Sequence, residues 1–310
     1  MVFVGVDVGG SKILVGVVDA EGRVQDLVRR ITPGRATAAS MVEAEIVAAV
    51  DELRDRHDVA GVGVGAAGFV GLGGIVRFAP HLPWRDEPLA EKLGVRLGLP
   101  VVVDNDANVA ALAELRHGAA RGVEEVLVLT LGTGIGGAVV MGGVVRRGTQ
   151  GLAGEFGHLQ VVPGGRPCPC GHRGCWEQYA SGTALVRAAG AADGPTRVAG
   201  PDITRAARQG ERWALDAFAD VGGWLGVGLA GLVASMDPAL VVVGGGLSDA
   251  GDLLLGPARS TLGANLPGAE RRMLPPVVVA ACGPAATVIG AATMARETDG
   301  GSPPRIVSPA

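Results

Sequence analysis

Two stretches of the chain open alike, and that duplication limits what it can fold into. Val2–Val8 is an apolar run ending at Gly9-Gly10-Ser11. Ile13–Asp19 then resumes as a strand, Ala20-Glu21-Gly22 turns, and Arg23–Arg30 continues. In the second half, Val126–Leu131 reads as a strand and Gly132-Thr133-Gly134-Ile135-Gly136-Gly137 as a turn. Ala138–Met141 returns, Gly142-Gly143 turns again, and Val144–Arg147 closes the pattern. Each copy is an apolar strand, a glycine turn carrying Ser or Thr, and a returning strand, the signature of an antiparallel meander. Two such meanders, each opening a domain-sized half, predict a duplicated α/β domain with a cleft between the copies. A length of 310 residues agrees with about two domains.

Between the meanders, Met41–His57 carries apolar residues at helical spacing, at 42, 46, 47, 50 and 53. Gly61–Ala66 and Val101–Asp104 are short, continuously apolar strands of the kind buried on both faces of a sheet. Ala107–Gly118 reads as a helix with Asp106 as its cap. Further helices are expected near 211–236 and 285–297, with a strand at Leu240–Val243 running into Gly244-Gly245-Gly246. Aromatic residues make up only 3% of the chain, so the core must be built from Val, Leu, Ala and Gly. The 52 glycines cluster between valine-rich runs without a collagen-like period, which marks tight turns and close backbone approaches. The tail from Thr298, with Gly-Gly-Ser-Pro-Pro, is expected to be disordered.

Net charge is −4 and no basic block occurs, which argues against a sizeable nucleic-acid-binding surface. Met1 leads directly into a strand, so no signal peptide is expected. The uncharged run Val126–Val145 is 20 residues long, but six glycines and two threonines make it two short strands rather than a membrane span. A second apolar run, Val221–Met236, stops at Asp237-Pro238. The expectation is a cytoplasmic protein without membrane partners, in a reducing compartment where clustered cysteines serve as metal ligands rather than disulfides.

Asp7-Val8-Gly9-Gly10-Ser11-Lys12 lies at a strand end. Glycines there let backbone N–H groups approach phosphate oxygens, Ser11 adds a hydroxyl, and Asp7 offers a carboxylate for hydrated Mg²⁺. Neither a GxxxxGK[ST] pattern nor a following helix is present, so this is not a P-loop. The second turn, Leu131–Gly137, is weak by itself and gains meaning as the partner of the first. Two such turns can grip one triphosphate. Asp104-Asn105-Asp106-Ala107-Asn108 ends a buried strand at a helix start. Capping explains one of its polar residues but not four in five positions. A carboxylate here can accept a proton from a substrate hydroxyl, as phosphoryl transfer requires.

Cys168, Cys170 and Cys175 fall within eight residues, in CPCGHRGCWE. The spacings are CxC and Cx4C, so no redox CxxC is present. Three closely spaced thiols suit a structural zinc, whose fourth ligand is either His158 or His172. His172 sits inside the loop between Cys170 and Cys175, where reaching the same ion is tight, whereas His158 arrives from a separate segment. Cys282 reads as a buried thiol in an apolar strand.

Together these motifs resemble the ROK family of bacterial sugar kinases and repressors. The likeness rests on DVGGSK at 7–12, DNDANVAALAE at 104–114, LGTGIGGA at 131–138, GEFGH at 154–158, CPCGHRGCWE at 168–177 and VVGGGLSDAG at 242–251. CPCGHRGCWEQYASG and PHLPWRDEPL are most similar to the actinobacterial-type glucokinases of that family. The resemblance implies an actin-like ATPase fold (sugar kinase/ribonuclease H-like). A small α/β domain would comprise 1–115 with the helix 285–298, and a large one 116–284, leaving 299–310 as the tail. It implies ATP-dependent phosphorylation of glucose at the 6-hydroxyl, with Mg²⁺ as activating ion and a structural Zn²⁺.

By the same resemblance Asp106 is the catalytic base. Gly68, Asn105, Glu155, His158 and Glu177 match sugar-binding positions, and Asp106 belongs with them. Asp7, Gly9, Gly10, Ser11 and Lys12 match the first phosphate turn, Gly132, Thr133 and Gly134 the second, and Gly245 and Gly246 the adenosine loop. Zinc would be held by His158, Cys168, Cys170 and Cys175. Ser11 stands where many members have Thr, and His81 where many have Asn. Other hexoses or N-acetylhexosamines (mannose, fructose, N-acetylmannosamine, N-acetylglucosamine) and polyphosphate as donor are the alternatives within the class. A repressor of the same family would need a DNA-binding helix-turn-helix ahead of the first strand, which begins at residue 2. A catalytically inactive sugar-binding protein would have no use for Asp7, Asp106 and both phosphate turns. A homodimer or homotetramer is implied by the resemblance alone.

Overall fold

Each half of the chain builds a five-stranded sheet in which an antiparallel meander is extended by parallel strands. The computed structural model describes residues 1–195 and 198–299. One unit comprises Met1–Arg121, Arg147–Ala153 and the chain from Pro284 onward; the other comprises Gly122–Arg146 and Gly154–Gly283. The segment 147–153, expected in the second body, therefore clusters with the first.

In the first unit, β1 (Val2–Val8), β2 (Lys12–Val18) and β3 (Val24–Ile31) form the meander. Helix α1 (Ala39–Arg54) leads into β4 (Val59–Ala66), which pairs parallel with β1. Next, β5 (Phe69–Gly71), β6 (Ile75–Phe78) and β7 (Arg85–Glu87) form a separate small sheet. Helix α2 (Leu89–Leu97) precedes β8 (Val101–Asn105), and α3 (Asp106–His117) follows it directly. The main sheet runs β3-β2-β1-β4-β8. Of its parallel strands β1 and β4 are largely buried, whereas β8, expected to be buried on both faces, is half-buried at Val101, Val102 and Val103 because it is the edge strand. Val4, Val6, Val62 and Val64 pack with Val42, Ile46 and Leu53 of α1 in one core.

In the second unit, β9 (Val126–Leu131), β10 (Ile135–Met141) and β11 (Val144–Arg146) repeat the meander. Helices α4 (Glu177–Ala180), α5 (Gly182–Ala191), α6 (Gly200–Arg208) and α7 (Arg212–Met236) precede β12 (Leu240–Gly244). Helix α8 (Asp252–Asn265) connects β12 to β13 (Val277–Val279), and the sheet runs β11-β10-β9-β12-β13. Helix α7 is long and apolar enough to cross a membrane, but most of its apolar window is buried. Phe218, Val221, Leu225, Leu229 and Val233 sit in the core with Leu127, Leu129 and Leu254, so it is the central helix of this unit. Asp237, in the left-handed conformation, ends it where the sequence indicated.

The final helix, α9 (Ala286–Asp299), returns to the first unit and packs on β1, β2, β4 and α3. Glycines make this approach possible. A methyl group at Gly5 would fall on the carbonyl oxygen of Val288, one at Gly63 on that of Ala291, and one at Gly290 on that of Val109. The glycine richness of the chain is thus partly a helix laid directly on a sheet.

Several expectations need correction. Helix α3 begins at Asp106 and its cap is Asn105, one residue earlier than the sequence suggested. Ile135, Gly136 and Gly137 belong to β10 rather than to the second glycine turn, because they continue the ladder opposite Leu129–Leu131. Cys282 is half-buried in a bend, since β13 ends at Val279. Thr298 is helical, and the rest of the tail, 300–310, lies outside the described residues.

Candidate active site

The first unit gathers its polar motifs at the carboxyl ends of parallel strands. In register, Asp7 of β1 lies beside Gly65 of β4, and Gly65 beside Asp104 of β8. The turn after β1 is closed by the Gly9 N–H donating to the Lys12 carbonyl at 3.0 Å. Thr32 Oγ1 braces it by donating to the Gly9 carbonyl at 2.7 Å. Gly10 has no room for a side chain: an added Cβ would stand 2.7 Å from the Cβ of His81. The chain just before His81 also abuts Gly68 (φ +142°), since a Cβ there would meet the Phe78 carbonyl oxygen and Ala79. The His81 loop therefore borders both the glycine turn after β1 and Gly68.

Asn105 and Asp106 divide their work. Asn105 Oδ1 accepts the N–H groups of Ala107 and Asn108 at 2.9 and 3.2 Å, which caps α3. Its Nδ2 donates to the Gly68 carbonyl at 2.9 Å. Asp106 is thereby left in the first helical turn, with Oδ1 accepting the adjacent Ala107 N–H at 2.9 Å. Although part of its side chain reaches solvent, burial pushes its carboxyl up to about 7, with the nearby charge of Asp7 as the second cause. Burial likewise raises Asp7 to about 6, opposed by the Lys12 ammonium. Two carboxyls raised by burial beside a glycine turn mark a place where a proton can be held near neutral pH.

The second unit carries the other motifs. Its glycine turn, 132–134, is tied to the start of α5: the Gly182 N–H donates to the Gly132 carbonyl at 2.8 Å and Thr183 Oγ1 to the Thr133 carbonyl at 2.8 Å. A Cβ on Gly134 would strike Glu177 Oε2, so this turn and the Glu177 carboxylate are in contact. Gly245 (φ +83°) adopts a conformation that favours glycine and lies against the backbone of Leu131. The Leu247 N–H donates to the Leu131 carbonyl at 3.0 Å, and Gly246 follows in the same loop. Hence the expected adenosine loop sits beside the second turn.

His158, Cys168, Cys170 and Cys175 bring one ligand atom each to within 4.8 Å of one another. Cys170 and Cys175 Sγ are 3.6 Å apart, and Cys168 Sγ lies 3.7 Å from His158 Nδ1. The sulfur pair is far longer than a disulfide bond of about 2.05 Å. It is close to the edge of about 3.7 Å that tetrahedral zinc with Zn–S near 2.3 Å demands. The donor set of three thiols and one imidazole fits a structural zinc. It uses His158; His172, exposed, has Nδ1 3.8 Å from Cys170 Sγ and lies outside this tetrad. Backbone bridges join the same segments, Gln160 with Cys175 and Pro167 with Arg173. Trp176 anchors them to the core through Nε1, which donates to the Trp224 carbonyl at 2.7 Å.

Glu177 connects this cluster to the glycine turn at 132–134. Its Oε1 accepts from the Cys168 thiol at 2.9 Å, and burial together with that contact pushes the thiol up. His158 turns Nε2 to within 4.0 Å of Glu155 Oε2 while Nδ1 faces Cys168. Glu155, His158 and Glu177 are thus assembled around one knuckle.

The sequence reading did not single out Asp104, Arg147, Asn108, Thr32 or Thr183 as site residues. Asp104 is buried, with Arg147 Nε 2.6 Å from its Oδ2 and Asn108 Nδ2 3.0 Å from its Oδ1. Only the run of polar residues at 104–108 signalled them; Arg147 and the threonines have no local pattern. A cavity lined by Phe3, Gly61, Val62, Pro100, Val102, Ala295 and Thr298 lies at the opposite, amino-terminal strand ends. It holds no titratable side chain, and in parallel sheets ligands bind at the carboxyl ends.

Comparison with known proteins agrees with this geometry. Residues 3–298 match the model of the ROK family. A glucokinase of Streptomyces coelicolor is 45% identical over 313 residues, spanning 96% of this chain and 98% of that protein. A crystal structure of a ROK family glucokinase from Streptomyces griseus, in complex with glucose and AMPPNP, superposes with a TM-score of 0.88. Its identity is 46%, with 96% of this chain and 100% of that one covered. The ROK hexokinase of Thermus thermophilus superposes with a TM-score of 0.78 at 37% identity, covering 97% of this chain and 100% of that one. The repeated sheet is therefore the duplicated α/β architecture of the actin-like ATPase fold, and the chain belongs to the ROK family.

Proposed function

We propose that this protein is an ATP-dependent glucokinase that phosphorylates glucose on its 6-hydroxyl. The observation that carries the reading is Asp106, a carboxyl with its pKa near 7 in the first turn of a helix capped by its neighbour. A base of that strength is matched to a neutral working pH. The 6-hydroxyl oxygen attacks the γ-phosphorus, the bond to the β,γ-bridging oxygen breaks, ADP leaves, and the hydroxyl proton passes to Asp106. Positioning and charge neutralisation supply most of the acceleration.

In this reading Gly68, Asn105, Asp106, Glu155, His158 and Glu177 are the sugar-binding residues. Asp7, Gly9, Gly10, Ser11 and Lys12 serve the phosphates, as do Gly132, Thr133 and Gly134, while Gly245 and Gly246 pack against the adenosine. Mg²⁺ arriving with the nucleotide neutralises phosphate charge, and Asp7 is the carboxylate that would hold its hydration shell. The zinc ligands take no part in the transfer: they hold His158 and Glu177 in place. Three unpaired clustered thiols suit the reducing cytoplasm. Assembly as a homodimer or homotetramer is checked by sedimentation.

The test is product identification. Phosphorus NMR after incubation with glucose, ATP and Mg²⁺ should show glucose 6-phosphate and ADP in equal amounts. ATP hydrolysis without sugar phosphate, or a phosphate on another hydroxyl, overturns the reading.

A further inference from the structure

We propose that Arg147 is a positioning residue of the reaction, its guanidinium clamping the Asp104 carboxylate and so setting the place of Asn105 and Asp106 at the start of α3. This rests on the reading of Asp106 as the base.

Both oxygens of Asp104 are committed. Oδ2 meets Arg147 Nε at 2.6 Å. Oδ1 accepts the Asn105 N–H at 2.7 Å and Asn108 Nδ2 at 3.0 Å. One buried carboxylate therefore straps the last residue of β8 to the first turn of α3, and Arg147 holds that carboxylate from outside. Charge-assisted bonds of this kind are shorter and stronger than neutral ones. Removing the cation alone would leave a buried charge unpaired.

The clamp is itself anchored. The segment 147–153 closes on itself, the Ala153 N–H donating to the Arg147 carbonyl at 3.0 Å. Within it, Gly151 presses on the backbone of Gly71 and Leu72, where an added Cβ would stand 2.9 to 3.0 Å from their atoms. Arg147 thus reaches Asp104 from a segment fixed to the β5 end rather than from a loose loop.

The electrostatics point the same way. Asp7 of β1 and Asp104 of β8 lie at strand ends on either side of β4, and Asp106 follows at the start of α3. Arg147 pairs with Asp104, while Lys12 is the cation whose charge acts on Asp7. Strand β4 brings no charge, and the charged groups of α9 lie at the far end of α3, where Glu297 meets Arg116. A base tolerates little displacement: an error of about 1 Å can cost on the order of 100-fold in rate.

The test compares wild type, R147Q, R147K, D104N and D104N/R147Q in glucose-dependent turnover, with melting curves for each. The double variant leaves no uncompensated buried charge, so it reports on catalysis even where R147Q folds poorly. We expect its kcat to fall about 10- to 100-fold with the KM for ATP within about twofold of wild type. We expect it to be no worse than R147Q, because breaking a clamp twice costs nothing further, and R147K, which keeps the charge, to recover part of kcat. Wild-type kcat in the double variant, or losses that multiply from the two single variants, would overturn the proposal. A wild-type protein without glucose-dependent turnover would instead sink the functional reading beneath it.

Discussion

Asn105, not Asp106, caps α3: Asn105 Oδ1 takes the Ala107 and Asn108 N–H groups at 2.9 and 3.2 Å. The cap leaves the next carboxylate, Asp106, in the first turn at the positive end of the helix. Burial nevertheless raises Asp106 to about 7, so desolvation and the charge of Asp7 outweigh the helix terminus.

Replacing Asp106 should therefore separate activity from stability. D106N is expected to lower kcat by roughly 10²- to 10⁴-fold, the usual worth of a positioned base. A carboxyl with a raised folded pKa binds its proton more tightly when folded. Its contribution to stability is fully present below the unfolded value of 3.8 and is lost as pH rises through about 7. D106N removes that penalty, so at about pH 8 its melting temperature should be at or above wild type. Near-normal turnover in D106N would remove Asp106 from the mechanism.

The same values set the acid limb of the pH profile. For glucose, kcat/KM should fall as pH drops through about 7 to 6, where Asp106 and Asp7 take up protons. The apparent constants belong to the coupled pair rather than to either residue. A profile flat down to about pH 5 would contradict a base of this strength.

Zinc removal should act on structure and sugar affinity together. Chelation, or C168S, is expected to lower the melting temperature and raise the KM for glucose, because His158 and Glu177 flank the same cluster. Metal loss should also grow as pH falls, since the ligands must be deprotonated to bind. Bound-metal analysis showing no zinc, or a zinc-free protein with unchanged KM and stability, would refute the structural role.

Close helix-to-sheet contact predicts a steric penalty at Gly63. A methyl there would meet the Ala291 carbonyl oxygen, so α9 must shift away from β4. G63A should cost about 1 to 3 kcal/mol in chemical denaturation, as overpacked cores do. A neutral result would mean that α9 does not lie on β4.

The repeated meander was legible because apolar strands and glycine turns recur at two points of the chain, and the knuckle because thiol spacing is a local signal. What escaped depends on contacts distant in sequence. Nothing near residue 147 indicates that Arg147 reaches Asp104, and Gly63 looks like any strand glycine until α9 crosses it. The cap was misplaced by one residue because Asn and Asp both cap helices well. Only the backbone shows that α3 starts at Asp106. The small sheet β5–β7 went unread because its strands are three or four residues long, too short for periodicity to register.

The central claim is that this site transfers phosphate from ATP to glucose. Its most direct test is kcat/KM for glucose, mannose, fructose, N-acetylglucosamine and N-acetylmannosamine, with ATP and polyphosphate as alternative donors. The account predicts glucose with ATP as the preferred pair. Robust turnover of an acetylated amino sugar with none on glucose, or no sugar-dependent use of ATP, would contradict it.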